Sequence, residues 1–264
     1  MPTSAPPRRT GKASPDELRF LRGWKLIDIH CHLLPAVDDG SKSWETTIEM
    51  CRLAQEDGVT HIVATPHANY EYRYDRAAHL ALLDELRRRV PGISFSLGCD
   101  FHLSYENIED AMKHPGRYAI GETRYLLVEL SEYSAFNVSQ TLYQLQTAGL
   151  VPIVTHPERN PLVLAKPDLL QEFSDVGCLF QITANALTGS WGRSSQKMSE
   201  SMLRNKMVHF ISSDAHGVKG RPPILSAARE AAAKIIGSAE AEKLVEDNPA
   251  AVVTNQLVSQ ITLR

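Results

Sequence analysis

"KLIDIHCHLLPAVDDG", residues 25–40, begins as a strand and ends as a site. Leu26, Ile27 and Ile29 make the first half apolar on both faces, as a strand covered on both sides requires. His30 and His32 follow at its C-terminal end. Residues two apart on a strand share a face, so the two imidazoles point together and Cys31 points away. Asp38 and Asp39 come next, ahead of Gly40. Two His, one Cys and three Asp between residues 28 and 40 are of little use to an ordinary hydrophobic core.

The pattern recurs along the chain. "HIVATPH" (61–67), "ISFSLGCDFH" (93–102), "YLLVEL" (125–130), "VPIVTHP" (151–157), "CLFQITAN" (178–185) and "VHFISSDAH" (208–216) read as further strands rich in Ile, Val and Leu. Helical spacing fills the intervals, as in "WETTIEMCRLAQEDG" (44–58), "DRAAHLALLDELRRRV" (75–90) and "NVSQTLYQLQTAG" (137–149). Each closes at the Gly or Pro that helix ends favour. Seven strands separated by crossovers predict parallel pairing and a barrel-like α/β fold. Residues 1–23, rich in Pro, Ser and Arg, read as a mobile tail ahead of a single domain at 24–264.

Nearly every strand carries a His, Asp or Glu near its C-terminal end: His30 and His32, His67, Asp100, Glu129, His156, then Asp214 and His216. That rim is where parallel α/β barrels build their sites. Imidazole nitrogens and carboxylate oxygens without thiolate suit Zn, Mn or Fe. With Asp39 the candidates number nine, too many for one ion and suited to a cluster of two or three. His61, His79, His114 and His209 lack such a context and read as ordinary core or surface histidines, as does His102, although it shares a strand face with Asp100.

Composition bounds the function. The 264 residues are 43% hydrophobic with a formal net charge of −3, which gives no electrostatic case for nucleic acid or an acidic membrane surface. No apolar run reaches the ~18 residues of a membrane span. The first residues lack the apolar core of a secretory signal. Four cysteines without a CxxC pair fit a reducing, cytoplasmic compartment. Thiol-dependent phosphatases need Cys, five residues, then Arg. Val37, Asp57, Tyr105 and Ala184 stand at that spacing from Cys31, Cys51, Cys99 and Cys178, so thiolate catalysis is excluded.

Taken in order, "HCH…DDG", "TPH", "VEL", "THPER", "QITANALTG…WG" and "SSDAHGVKGRPP" resemble the polymerase-and-histidinol-phosphatase (PHP) metal-hydrolase superfamily. Within it they are similar to the bacterial manganese-dependent protein-tyrosine phosphatases of capsule and exopolysaccharide operons. The resemblance spans about residues 25–255 and implies a distorted seven-stranded (β/α) barrel holding two or three divalent ions, Mn first, with Fe or Zn as alternatives. By motif, one ion would take His30, His32, Asp100 and Asp214. A second would take Asp100, Glu129 and His156, and a third Asp39, His67 and His216. The family's bridging Glu lies in a "GxEI"-like stretch. Here it is Asp100 in "GCDF", one methylene shorter, so bridging requires the backbone to move inward. Asp28 is placed to orient a ligand imidazole from behind.

Arg159 and Arg221 match arginines that the family places at the phosphate, where a planar, permanently charged donor fits phosphoryl oxygens. The implied activity is phosphoric-monoester hydrolysis at phosphotyrosine. The implied partner is a tyrosine kinase controlling polysaccharide export, and the resemblance allows self-association. Two alternatives stay open: a phosphatase for a small metabolite such as histidinol phosphate, and a metal-stabilised binding module without catalysis.

Overall fold

Nine short strands run through the described residues, 26–131 and 137–258, of the computed structural model. They are β1 (Leu26–Cys31), β2 (Val59–Ala64), β3 (His67–Ala68), β4 (Ser94–Leu97), β5 (Asp100–His102), β6 (Tyr125–Glu129), β7 (Val151–Thr155), β8 (Leu179–Thr183) and β9 (Phe210–Ser212). All neighbours pair in parallel, in a three-stranded sheet β1-β2-β4 and a six-stranded sheet β3-β5-β6-β7-β8-β9. The tail expected at residues 1–23 lies outside the described residues.

Two of the seven expected strands are each split in two. The run 61–67 breaks between Ala64 and His67, and the run 93–102 between Leu97 and Asp100. Pro66 has no N–H for a ladder. Gly98 is closely invested, since a Cβ there would lie 3.1 Å from both Ile120 and Val63. Both chains therefore leave the first sheet together and re-pair in the second, His67 opposite Asp100. On the other side, β1 and the segment after β9 share one isolated bridge, Cys31 with Ala215. The His32 N–H donates to the Ala215 carbonyl at 2.9 Å and the Asp214 N–H to the His30 carbonyl at 2.8 Å. Among the described residues the sheets thus meet without closing into one continuous barrel ladder.

The helices lie between the strands. α1 (Trp44–Glu56) and α2 (Arg76–Arg89) are capped by Ser43 and Asp75, whose side chains accept the N–H of Thr46 and Ala78. α3 (Tyr105–Lys113), α4 (Val138–Thr147), α5 (Pro161–Ala165), α6 (Leu169–Asp175), α7 (Ala184–Leu187) and α8 (Gly192–Arg204) follow. α9 (Ser226–Ile236), α10 (Ser238–Val245) and α11 (Asp247–Val253) complete the set. The Asp57 carboxylate, at the end of α1, accepts the N–H groups of Leu225 and Ser226 at 2.6 and 3.0 Å and so caps α9 from a distance. None of these helices is long and apolar enough to cross a membrane.

Strand alternation divides the core. Tyr125 and Leu127 of β6 join Ile27, Ile29, Val63, Ile153, Leu179 and Phe210 in an inner apolar cluster. Leu126 and Val128, one residue out of phase, belong to the larger cluster that includes helix residues Leu83, Leu142 and Met202. Continuing each inner face toward the C-terminal end reaches polar side chains: Glu129 on β6, Gln181 and Thr183 on β8. The interior turns from apolar to chemical at one end, and the site sits there.

Candidate metal centre

All nine candidates come together. His30 Nε2 and His32 Nε2 lie 3.2 Å apart. Asp214 Oδ1 is 3.4 Å from the first and 3.5 Å from the second. Asp100 Oδ2 is 3.5 Å from His30 Nε2, 3.3 Å from His67 Nδ1 and 3.9 Å from His156 Nε2. Glu129 stands 3.8 Å from both His67 and His156. Asp39 Oδ1 reaches His67 at 3.4 Å and His216 at 3.3 Å. The groups that can share an ion are His30, His32 and Asp214; His30, Asp100 and His156; His67, Asp100 and Glu129; and His32, Asp39, His67 and His216.

These separations are too long for good hydrogen bonds. Two ligand atoms each about 2.1 Å from one ion are of order 3–3.5 Å apart. Asp100 Oδ2, Asp214 Oδ1 and His67 Nδ1 are also buried without a hydrogen-bond partner. An orphaned buried polar atom costs about 1–3 kcal/mol, and divalent cations held by the groups that contain these atoms would satisfy them. The donor set of imidazole and carboxylate fits such an ion.

The imidazoles are aimed by what they hold from behind. His30 Nδ1–H donates to Gln181 Oε1 at 2.8 Å, and the Gln181 amide is itself fixed by donating to the Ile182 carbonyl. His32 Nδ1–H donates to Asp38 Oδ2 at 2.8 Å, and His216 Nδ1–H to the Asp214 carbonyl at 3.0 Å. Each bond leaves an Nε2 lone pair facing inward. Burial opposes charge on His30, but Asp100 and Asp214 outweigh it and lift it to about 9. Burial likewise opposes charge on His67, and Asp39, Asp100 and Glu129 carry it to about 9. Burial would raise the carboxyls of Asp100 and Asp214, yet the surrounding cations hold both well below the usual carboxylate range. Bound dications would take the place of those imidazole protons.

Several sequence expectations change in detail. Asp28 does not touch an imidazole. Its carboxylate accepts the backbone N–H of His30 and of Ser213, and the Ser213 hydroxyl, so it ties β1 to the end of β9. Asp100 and His67 open their short strands instead of closing long ones. Asp100 Oδ2 is central despite the shorter side chain. Asp214 and His216 lie beyond β9, with Asp214 at φ 51°, a left-handed conformation unfavourable to a non-glycine residue. His156 is likewise at φ 36°. His102 sits at the margin, 3.5 Å from Glu129. His61, His79 and His209 are buried elsewhere, and His114 is exposed.

Arg159 and Arg221 each place Nη2 2.6 Å from the same atom, Asp214 Oδ2. Trp191 lies against both, its ring centroid 4.7 Å from the Arg159 guanidinium carbon and 5.4 Å from that of Arg221. The four thiols are buried and unpaired by disulfides. Burial pushes Cys51 and Cys178 up to about 12 and Cys31 and Cys99 well above the ordinary thiol value. None is a nucleophile at neutral pH.

Sequence reading missed Asp38, Gln181 and Trp191. Asp38 was legible only as the other half of "DD". Gln181 stands two residues before Thr183 on an inward strand face. Trp191 lay in the "WG" of a motif whose role was unassigned.

Known proteins resemble this chain over most of its length. The Staphylococcus aureus protein CapC is 39% identical over 206 residues, 76% of this chain and 80% of its own. Tyrosine-protein phosphatase YwqE of Bacillus subtilis is 32% identical over 239 residues, 88% of this chain and 93% of its own. A crystal structure from work on YwqE of Bacillus subtilis and CpsB of Streptococcus pneumoniae, described there as metal-dependent tyrosine phosphatases, superposes with a TM-score of 0.80 at 31% identity, covering 89% of this chain and 97% of the other. The family profile described as capsular polysaccharide synthesis, CpsB/CapC, matches residues 26–254. This chain belongs to the CpsB/CapC family of capsular polysaccharide synthesis.

Proposed function

We propose that this chain is a metal-dependent phosphatase that hydrolyses phosphotyrosine in proteins. The observation that carries the reading is the meeting of Arg159 and Arg221 at Asp214 Oδ2, on the edge of the nine-residue cluster. Imidazoles and carboxylates that fit divalent ions, beside two permanently charged planar donors, match the needs of phosphoryl transfer.

His30, His32, Asp39, His67, Asp100, Glu129, His156, Asp214 and His216 would hold two or three ions, Mn first. When bound, such ions activate a water at neutral pH and offset charge on the phosphoryl oxygens. Arg159 and Arg221 turn their remaining N–H groups to those oxygens. Gln181 and Asp38 keep the ligand imidazoles in register. A phenolate leaves more readily than an alkoxide, so the reaction does not depend on a strong general acid. The order of strand pairing supports a distorted barrel of seven units, each split strand counting as one with its partner. The substrate we infer is the tyrosine-rich tail of a cytoplasmic kinase that controls polysaccharide export.

Turnover of a phosphotyrosyl peptide and of histidinol phosphate by the Mn-loaded protein separates this reading from a small-metabolite phosphatase. Chelator should abolish hydrolysis, Mn should restore it, and thiol alkylation should spare it. Preference for histidinol phosphate would overturn the substrate assignment. A metal-loaded protein inert to both esters would be a binding module.

A further inference from the structure

We infer that Trp191 is the positioning residue for the oxyanion-binding arginines: one indole ring holds both guanidiniums ready for a phosphoryl group. The inference rests on the phosphatase reading above and deepens it.

Arg159 and Arg221 converge on one carboxylate oxygen. Two cations against one anion leave a net positive charge, which suits an incoming phosphate but makes the two guanidiniums repel each other. A second carboxylate would hold them, at the expense of the field that attracts the substrate. An aromatic face attracts a guanidinium through its quadrupole and carries no net charge. The Trp191 ring lies against both arginines, at 4.7 and 5.4 Å. It steadies the pair without neutralising it and consumes none of the N–H donors that phosphoryl oxygens need.

The surrounding backbone fits the role. Trp191 immediately precedes α8, between Gly189 and Gly192, which both adopt positive φ. α8 packs against the 157–159 turn that carries Arg159. Asn185 at the start of this segment donates to the Gly220 carbonyl, next to Arg221. The segment that carries the indole thus touches both arginine-bearing loops. It is 39% exposed, so replacing it opens no buried cavity.

The test uses the Mn-loaded protein and inorganic phosphate, whose binding is measured calorimetrically and needs no turnover. Trp191→Leu should weaken phosphate binding by about 5–30-fold, the range expected for two partly exposed cation–π contacts. Trp191→Phe, which keeps a π face, should stay within about 3-fold of wild type. Metal content and Tm should be unchanged in both. In an Arg159→Ala/Arg221→Ala background, Trp191→Leu should have no further effect, because the indole acts only through the arginines. Wild-type phosphate affinity in Trp191→Leu would overturn the inference. So would equal losses in the Leu and Phe variants, which would mark Trp191 as a packing residue. Loss of aryl phosphate turnover with phosphate binding intact would make it a wall for the substrate ring and sink the positioning role. If the wild-type protein binds phosphate but hydrolyses no ester, the phosphatase reading fails while the effect on phosphate binding still decides the role of Trp191. A wild-type protein that takes up no phosphate overturns both.

Discussion

Asp214 Oδ2 accepts two guanidiniums while Oδ1 of the same carboxylate faces His30 and His32. One side chain thus joins the candidate metal site to the candidate phosphate site, and substitutions can separate the two jobs. Guanidinium offers no lone pair to a metal, so Arg159→Ala or Arg221→Ala should leave metal content unchanged by elemental analysis. A charge-assisted hydrogen bond is worth roughly 1.5–3 kcal/mol, so each should lose about 10–150-fold in kcat/KM. Lys at either position should rescue only in part, since it lacks the bidentate fork. Asp38→Ala should do the reverse. It removes the acceptor behind His32 and should weaken metal binding by about 10–100-fold in a chelator competition, with kcat recovering at high Mn.

At the scale of elements, the turn after β1 and the cap on α9 make opposite predictions. A Cβ at Gly40 would lie 2.3 Å from the His32 carbonyl oxygen and 2.4 Å from its Cβ. Gly40→Ala should therefore displace the Asp38–Asp39 turn, and metal content should drop with activity. Asp57→Ala uncaps α9 far from the site. It should lower stability by about 1–2 kcal/mol in urea titration with kcat intact. The sequence foretold the parallel strands and the helices at 44–56, 76–89 and 138–147, because apolar runs and Gly stops are local signals. It did not foretell the breaks at Pro66 and Gly98. A strand-like run of seven to ten residues does not say which of two sheets it belongs to, and that is decided by neighbours such as Ile120. The nine candidates were legible because chemistry-bearing types stand out at strand ends and in the turns that follow them. Asp38 and Gln181 were not, because a residue that steers another is recognisable only once both are in place.

Across the whole molecule, buried histidines away from the site add to the loss of stability in acid. Burial lowers both His61 and His209 to about 4, and His209 Nδ1 accepts the Phe180 N–H at 3.1 Å. The unfolded chain takes up these protons near pH 6.5 and the folded chain only near 4. Stability should therefore fall as pH drops through that window, by up to about 1.4 kcal/mol per pH unit for each group. His209→Gln keeps an acceptor without the titration, so its unfolding free energy should vary less steeply between pH 6.5 and 4.5. The clasp of Asp28 on Ser213 bears on timing. Asp28 and Ser213 lie 185 residues apart in the chain, and their two segments share a single isolated bridge. A ribosome must deliver nearly the entire domain before His30, His32 and Asp214 can meet. A nascent chain arrested before residue 208 lacks Asp214 and His216, so it should bind metal more weakly than the finished chain in a chelator competition.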